Sequence, residues 1–184
     1  MIRTIIISLV TLLLTACGFH LRGYAPLPPE LNTLYVSSAR PFGGLTRDVK
    51  QHLSARHITI VDRADQAPYT LAISDDTLTR TIDSVSTNTQ LRQYTLSYTA
   101  QFTLLDQNQQ TIAGPFSLSA SRSYTGQTNQ TLGSDNEALS LEKEMQRDLV
   151  VQLLYRLSAS STRQALADTK KSVHQIAPQT TKSH

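Results

Sequence analysis

The most regular pattern in the chain lies between Tyr94 and Leu104. Tyr94, Leu96, Tyr98, Ala100, Phe102 and Leu104 take every second position, with Thr95, Ser97, Thr99, Gln101 and Thr103 between them. A period of two sends alternate side chains to opposite faces, so this is a long strand with one face buried. Asp106-Gln107-Asn108-Gln109 reads as a turn, and Ile112, Phe116, Leu118 and Ala120 carry the alternation back. A turn centred on Asn108 sets position 104 opposite 112, 98 opposite 118 and 94 opposite 122. Even faces even, so the apolar faces coincide, and a slip of one residue would turn one of them to water. Gly114-Pro115 interrupts the returning strand. Proline cannot donate to a ladder, which places this strand at the sheet edge.

Shorter elements precede the hairpin. Leu34-Tyr35-Val36 reads as a first strand and Pro41-Phe42-Gly43-Gly44 as a loop. Leu45, Val49, His52 and Leu53 then recur at helical spacing, predicting an amphipathic helix from about Thr46 to Ala55. Ile58-Thr59-Ile60-Val61 follows as a strand or strand-like return, which suggests a βαβ unit with parallel pairing. Tyr69, Leu71 and Ile73 alternate as the next strand, and the Asp/Thr/Ser-rich stretch from Asp75 to Gln90 is either its continuation or a loop. After the hairpin, Ser134 and Glu137 have capping-box spacing at the start of a second helix. Ala138, Leu141, Met145 and Leu149 mark one stripe of it, and Leu139, Leu153, Leu154 and Leu157 widen its apolar face to about Ser158. From Ser160 onward the chain is polar with scarcely an apolar cluster, which predicts disorder and a dispensable tail. The elements sum to an α+β fold, a two-layer sandwich of an about four-stranded mixed sheet with two helices packed on one face.

The N-terminus changes the picture. Arg3 is followed by an apolar run from Ile5 to Leu14 and then Thr15-Ala16-Cys17. One basic residue, about ten apolar ones and small residues before a cut form a secretory signal, too short for a bilayer span of roughly 20 residues. The cysteine at the cut resembles the bacterial lipobox, which implies a covalent N-acyl diacylglycerol on Cys17. Acyl chains contribute about 0.8 kcal/mol per buried methylene, so two or more anchor stably. In bacterial lipoproteins an Asp after the cysteine retains the protein at the inner membrane. Gly18 stands there instead, which implies the outer membrane, with the domain on the periplasmic side. The expected organisation is a cleaved signal over 1–16, a lipidated tether over 17–30, a domain over 31–159 and a polar tail over 160–184.

Composition excludes more than it assigns. Cys17 is the sole cysteine, so acylation leaves no disulfide, no cysteine nucleophile and no cysteine metal site. The net charge of +3 belongs to the ends of the chain. Removing Arg3, Arg163, Lys170, Lys171 and Lys182 from 17 basic residues, and Asp168 from 14 acidic ones, leaves 12 against 13. A near-neutral body without a basic stripe carries no nucleic-acid footprint. His20 lies in the tether, His174 and His184 in the tail, and His52 and His57 at the first helix and its exit. With no convergent acid, base or nucleophile, no metal-ligand spacing and no cofactor motif, an enzyme is not expected.

One constellation invites a ligand. In the parity register Arg122 faces Tyr94 and Arg92 faces Tyr124, two guanidinium–aromatic pairs at the open end of the hairpin. Guanidinium forks suit phosphate and the tyrosines suit acyl chains, so the pairs fit an anionic amphiphile. The plain alternative is arginine stems passing tyrosine rings at the frayed edge of the core.

Several segments together resemble the LptE (RlpB) family of LPS-assembly lipoproteins. They are Cys17-Gly18-Phe19-His20-Leu21-Arg22, Leu45-Thr46-Arg47-Asp48-Val49, Tyr94-Thr95-Leu96-Ser97-Tyr98, Arg122-Ser123-Tyr124, Asp135-Asn136-Glu137 with Glu144-Met145, and Leu153-Leu154-Tyr155-Arg156-Leu157. The resemblance covers nearly the whole mature domain. It implies two helices against a four-stranded mixed sheet, sitting as a 1:1 plug in the lumen of the outer-membrane β-barrel LptD. It also implies help in folding that barrel and in inserting lipopolysaccharide into the outer leaflet. Basic residues tied to lipopolysaccharide in some relatives stand here as Thr87 and Ser134, leaving Arg80, Arg92 and Arg122 as candidate replacements. The competing expectation is a lipoprotein binding module for lipid or cell-wall ligands, with no barrel partner.

Overall fold

In the computed structural model, residues 26–85, 91–127 and 131–176 are described. Cys17, the expected signal, most of the expected tether and Thr87 lie outside them. A short strand β1 (Thr33–Ser38) leads into helix α1 (Gly44–Ser54) and strand β2 (Thr59–Val61). Three long strands follow, β3 (Tyr69–Val85), β4 (Leu91–Asp106) and β5 (Thr111–Gln127). Two helices close the chain, α2 (Thr131–Ser158) and α3 (Ser160–Ile176).

The strands form one mixed sheet in the order β2-β1-β3-β4-β5. β1 is parallel to β2 and to β3, whereas β3-β4 and β4-β5 are antiparallel. The β1-α1-β2 segment is thus the parallel unit that the pattern predicts, and β5 is the edge strand that Pro115 requires. Among the described residues there are five strands rather than about four, because the three-residue return β2 does pair. The open choice over 75–90 resolves toward continuation as far as Val85, where β3 ends, and 86–90 lie outside the described residues.

All three helices contribute to one core on one face of the sheet. Leu45, Val49 and Leu53 of α1, Met145, Leu149, Leu153 and Leu157 of α2, and Leu166 of α3 close over Val36, Leu71, Leu96, Phe102 and Leu104. The even residues of β4 from Leu96 to Leu104 are buried, as the alternation demands. Among the described residues no helix covers the other face. That face presents Thr99, Ser117, Ser119, Ser121 and Ser123 to solvent, with hydroxyl bridges such as Thr95–Ser123 at 2.8 Å.

Of the expected polar tail over 160–184, the described part, Ser160–Ile176, is helix rather than disordered, with Thr162 and Leu166 buried at 1% and 0% exposure, and 177–184 lie outside the described residues. Thr162, Ala165, Leu166 and Thr169 are spaced three and four apart, so a stripe with a single leucine suffices to dock this helix. α2 also begins three residues before Ser134, so Ser134 is not its N-cap, and Leu139 is 55% exposed rather than packed.

Irregularities in β5, and in β3 at Ser74/Thr77 and again at Ile82/Ser84, set which side chains share a face. Near the turn Leu105 opposes Thr111, as the parity argument requires. Register shifts on either side of Leu104 then add two residues to β5 around Gly114-Pro115, so Tyr98 faces Ala120 and Tyr94 faces Tyr124. Two extra residues preserve parity but move each partner along by two. In β3 a bulge between Ser74 and Thr77, with Asp75 at φ 52, adds one residue. A single insertion inverts parity. The helix-side positions therefore change from Leu71 and Ile73 to Leu78, Arg80 and Ile82, opposite Tyr98, Leu96 and Tyr94.

Candidate functional site

The three arginines nominated by the sequence lie on the helix-side face toward the far end of β3-β4-β5, but not in the predicted pairs. Arg122 opposes Leu96 rather than Tyr94, and Arg92 opposes Gly126 rather than Tyr124. The two tyrosines meet each other instead, stacked with centroids 5.2 Å apart. Above them lies Arg80, its guanidinium carbon 4.0 Å from the Tyr94 centroid and 5.4 Å from that of Tyr124. One cation thus shares two ring faces. A loose ion pair to Asp135 of α2 at 3.8 Å leaves the Arg80 side chain 39% exposed. Beside it, Arg92 Nε and the Tyr124 hydroxyl are buried without a hydrogen-bond partner among the described residues. The Arg80 placement is hidden in the sequence because the bulge at Asp75 reverses the face of residues 77–82, until a second shift between Ile82 and Ser84.

Arg122 is occupied otherwise. Its Nε and Nη2 donate to Glu144 at 3.0 and 2.9 Å, Nη2 also donates to Asp148, and Nη1 donates to the Ser121 carbonyl at 2.9 Å. The hydrogen bonds to Glu144 and then Asp148 raise its pKa further. These bonds fasten β5 to α2.

A second polar cluster sits where α1, α2 and β3 meet. The Tyr98 hydroxyl donates to Asp76, whose carboxylate also pairs with Arg40 at 3.3 Å. Gln146 Nε2 donates to the Tyr98 oxygen at 3.4 Å and to Glu142 at 3.0 Å. Burial first, and the bond to Asp76 second, hold the Tyr98 pKa well above the ordinary tyrosine value. The Thr46 hydroxyl donates to the Arg40 carbonyl at 2.9 Å and accepts from the Ser38 hydroxyl at 2.9 Å, bracing the loop between β1 and α1. The loop thereby presents Phe42 at 93% exposure. No periodic signal marks this cluster, since its members come from four separate segments.

At the opposite end of the sheet an open cleft of about 450 Å³ lies between Pro26–Pro29 and the α1-to-β2 turn at Arg56 and His57. Arg163 of α3 donates to the Pro26 carbonyl at 2.7 Å, fixing the start of the described chain. Among the described residues no three His, Cys, Asp or Glu side chains are grouped to hold a metal ion. No described helix is long and apolar enough to cross a membrane.

Fold and site together define a two-layer α+β domain whose polar networks brace its own elements, leaving a basic–aromatic end and a hydroxyl-lined sheet face for contact. A family model described as LptE, lipopolysaccharide-assembly, matches residues 31–157. The chain belongs to the LptE family of LPS-assembly lipoproteins. It is similar to the LPS-assembly lipoprotein LptE of Pectobacterium atrosepticum, 29% identical over 155 residues covering 84% of this chain and 83% of the relative. The counterpart from Photorhabdus laumondii is 28% identical over 180 residues, 97% of each chain. Among solved structures, lipoprotein B from Nitrosomonas europaea shares the fold at a TM-score of 0.63 and 23% identity, covering 86% of this chain and 97% of that one. A minor lipoprotein from Acinetobacter baumannii superposes at 0.56 with 25% identity, covering 70% and 91%. The family model stops at Leu157, so α3 lies beyond it.

Proposed function

We propose that the mature chain, acylated at Cys17 and held on the periplasmic side of the outer membrane, forms a 1:1 plug in the LptD β-barrel. There it assists the barrel's assembly and the insertion of lipopolysaccharide into the outer leaflet. Family membership supports the lipopolysaccharide-assembly role. The observation that carries the plug reading is the one-sided layering. The helices cover one face of the sheet and leave a Ser/Thr face bare on three long strands, and a large barrel has a polar interior for such a face to meet.

Contact with lipopolysaccharide falls on the arginine–tyrosine end. Arg80 offers an exposed guanidinium pre-oriented by two rings, and Arg92 brings a second cation with an unpartnered Nε. Guanidinium groups in this setting suit lipid phosphate. Arg122 supports the site from behind by holding β5 to α2. Depleting the chain in cells tests the function: folded LptD and surface lipopolysaccharide should both fall, and normal levels of both would reject it.

A further inference from the structure

β3 leaves part of its edge free. β1 pairs with it only as far as Ser38 opposite Ile73, whereas β3 continues to Val85. From Thr77 onward it has β4 on one side and no paired strand on the other among the described residues. A free edge presents a row of backbone donors and acceptors, which an extended backbone is shaped to satisfy. Proteins commonly guard such edges with proline, lysine or covering segments. Here the sequence is Thr77-Leu78-Thr79-Arg80-Thr81-Ile82-Asp83, rich in residues that favour strands.

The side chains along this edge are also unfinished. On the helix side Leu78 and Ile82 remain 37% and 54% exposed, with Arg80 between them. The strip starts where the braced loop carrying Phe42 abuts β3, through Arg40 and Asp76 at 3.3 Å. Leu78 and Ile82 call for apolar residues on an added strand, while the Arg80 guanidinium lies over the Tyr94 ring of β4, away from the free edge. A second copy of this chain fits the strip poorly. An antiparallel self-pairing over 78–82 sets the two Arg80 groups directly opposite each other, where like charges repel.

We infer that residues 77–85 of β3 receive an extended segment of the barrel partner as an added strand, seated in the line that β1 vacates. The inference rests on the plug reading. Hydrogen exchange on the full lipidated chain, alone and copurified with LptD, tests it. Alternate amides within 77–82 should exchange at least tenfold more slowly in the complex, while those of 33–38 stay unchanged. If the complex forms and these amides do not slow, the inference fails and the plug stands. Equal slowing along the β5 edge would mean simple enclosure and would also overturn it. If no complex forms, both readings fall. The exposed double variant L78K/I82K should keep the helix and strand signal of the parent and lower recovery of the complex tenfold. Undiminished recovery would overturn the added strand.

Discussion

Tyr94 and Tyr124 stack across β4 and β5 at 5.2 Å, in the position where turn parity alone sets Arg122 beside Tyr94. The two-residue offset decides which arginine is free. It places Arg122 under α2, where two carboxylates take it, and leaves Arg80 over the rings.

The arginines therefore separate by phenotype. Arg80→Ala should weaken lipopolysaccharide binding by the purified protein and leave its unfolding midpoint nearly unchanged. Arg122→Ala should lower the midpoint and leave binding close to the parent's. Arg122→Lys should not restore stability, because a point ammonium lacks the fork that reaches Glu144, Asp148 and the Ser121 carbonyl together. The reverse assignment would overturn the site.

Tyr98 sets an alkaline limit. Its folded pKa is raised, so its contribution is fully present below the unfolded tyrosine value of about 10 and is lost as pH rises beyond it. Tyr98→Phe should flatten the fall of the thermal midpoint above pH about 10. Part of the slope remains from Tyr69, whose pKa burial also raises. At neutral pH the variant should cost about 1–3 kcal/mol, since Asp76 loses a buried donor. An unchanged slope in melts across this range would contradict the network.

The third helix belongs to the fold. Leu166→Ala should destabilise by about 2–5 kcal/mol, as for a filled core leucine. Truncation before Ser160 should be worse, because it also removes Thr162 and the Arg163 bond to Pro26. Denaturant melts of both forms measure this; a truncation as stable as the parent would return the segment to the status of a tail.

Gly114 is required by its backbone. It sits at φ 99, and a Cβ there would lie 2.7 Å from the Phe102 carbonyl oxygen. Gly114→Ala should cost more than about 1 kcal/mol, read as a lower denaturant midpoint with an unchanged slope. Parent-like stability would mean that the β5 bulge relaxes at no cost.

The legible parts of this chain were those with a repeating period. Tyr94 to Leu104 predicted β4 because each buried residue recurs every second position, and Leu45, Val49 and Leu53 predicted α1 in the same way. Single-residue events were not legible. The Asp75 bulge put Arg80 on the helix side, and the insertions near Gly114-Pro115 moved Arg122 off Tyr94. Alternation continues on both sides of such an event, so the pattern conceals the change of face. α3 carries no apolar period, because its inward stripe is built of Thr162, Ala165 and Thr169 around the lone Leu166.

The measurement that bears most directly on the central claim is the native mass of the tagged, lipidated chain extracted from outer membranes in detergent. The account predicts one copy of this chain bound to one copy of LptD, stable through purification. Recovery of the folded lipoprotein alone, at full yield, would contradict it.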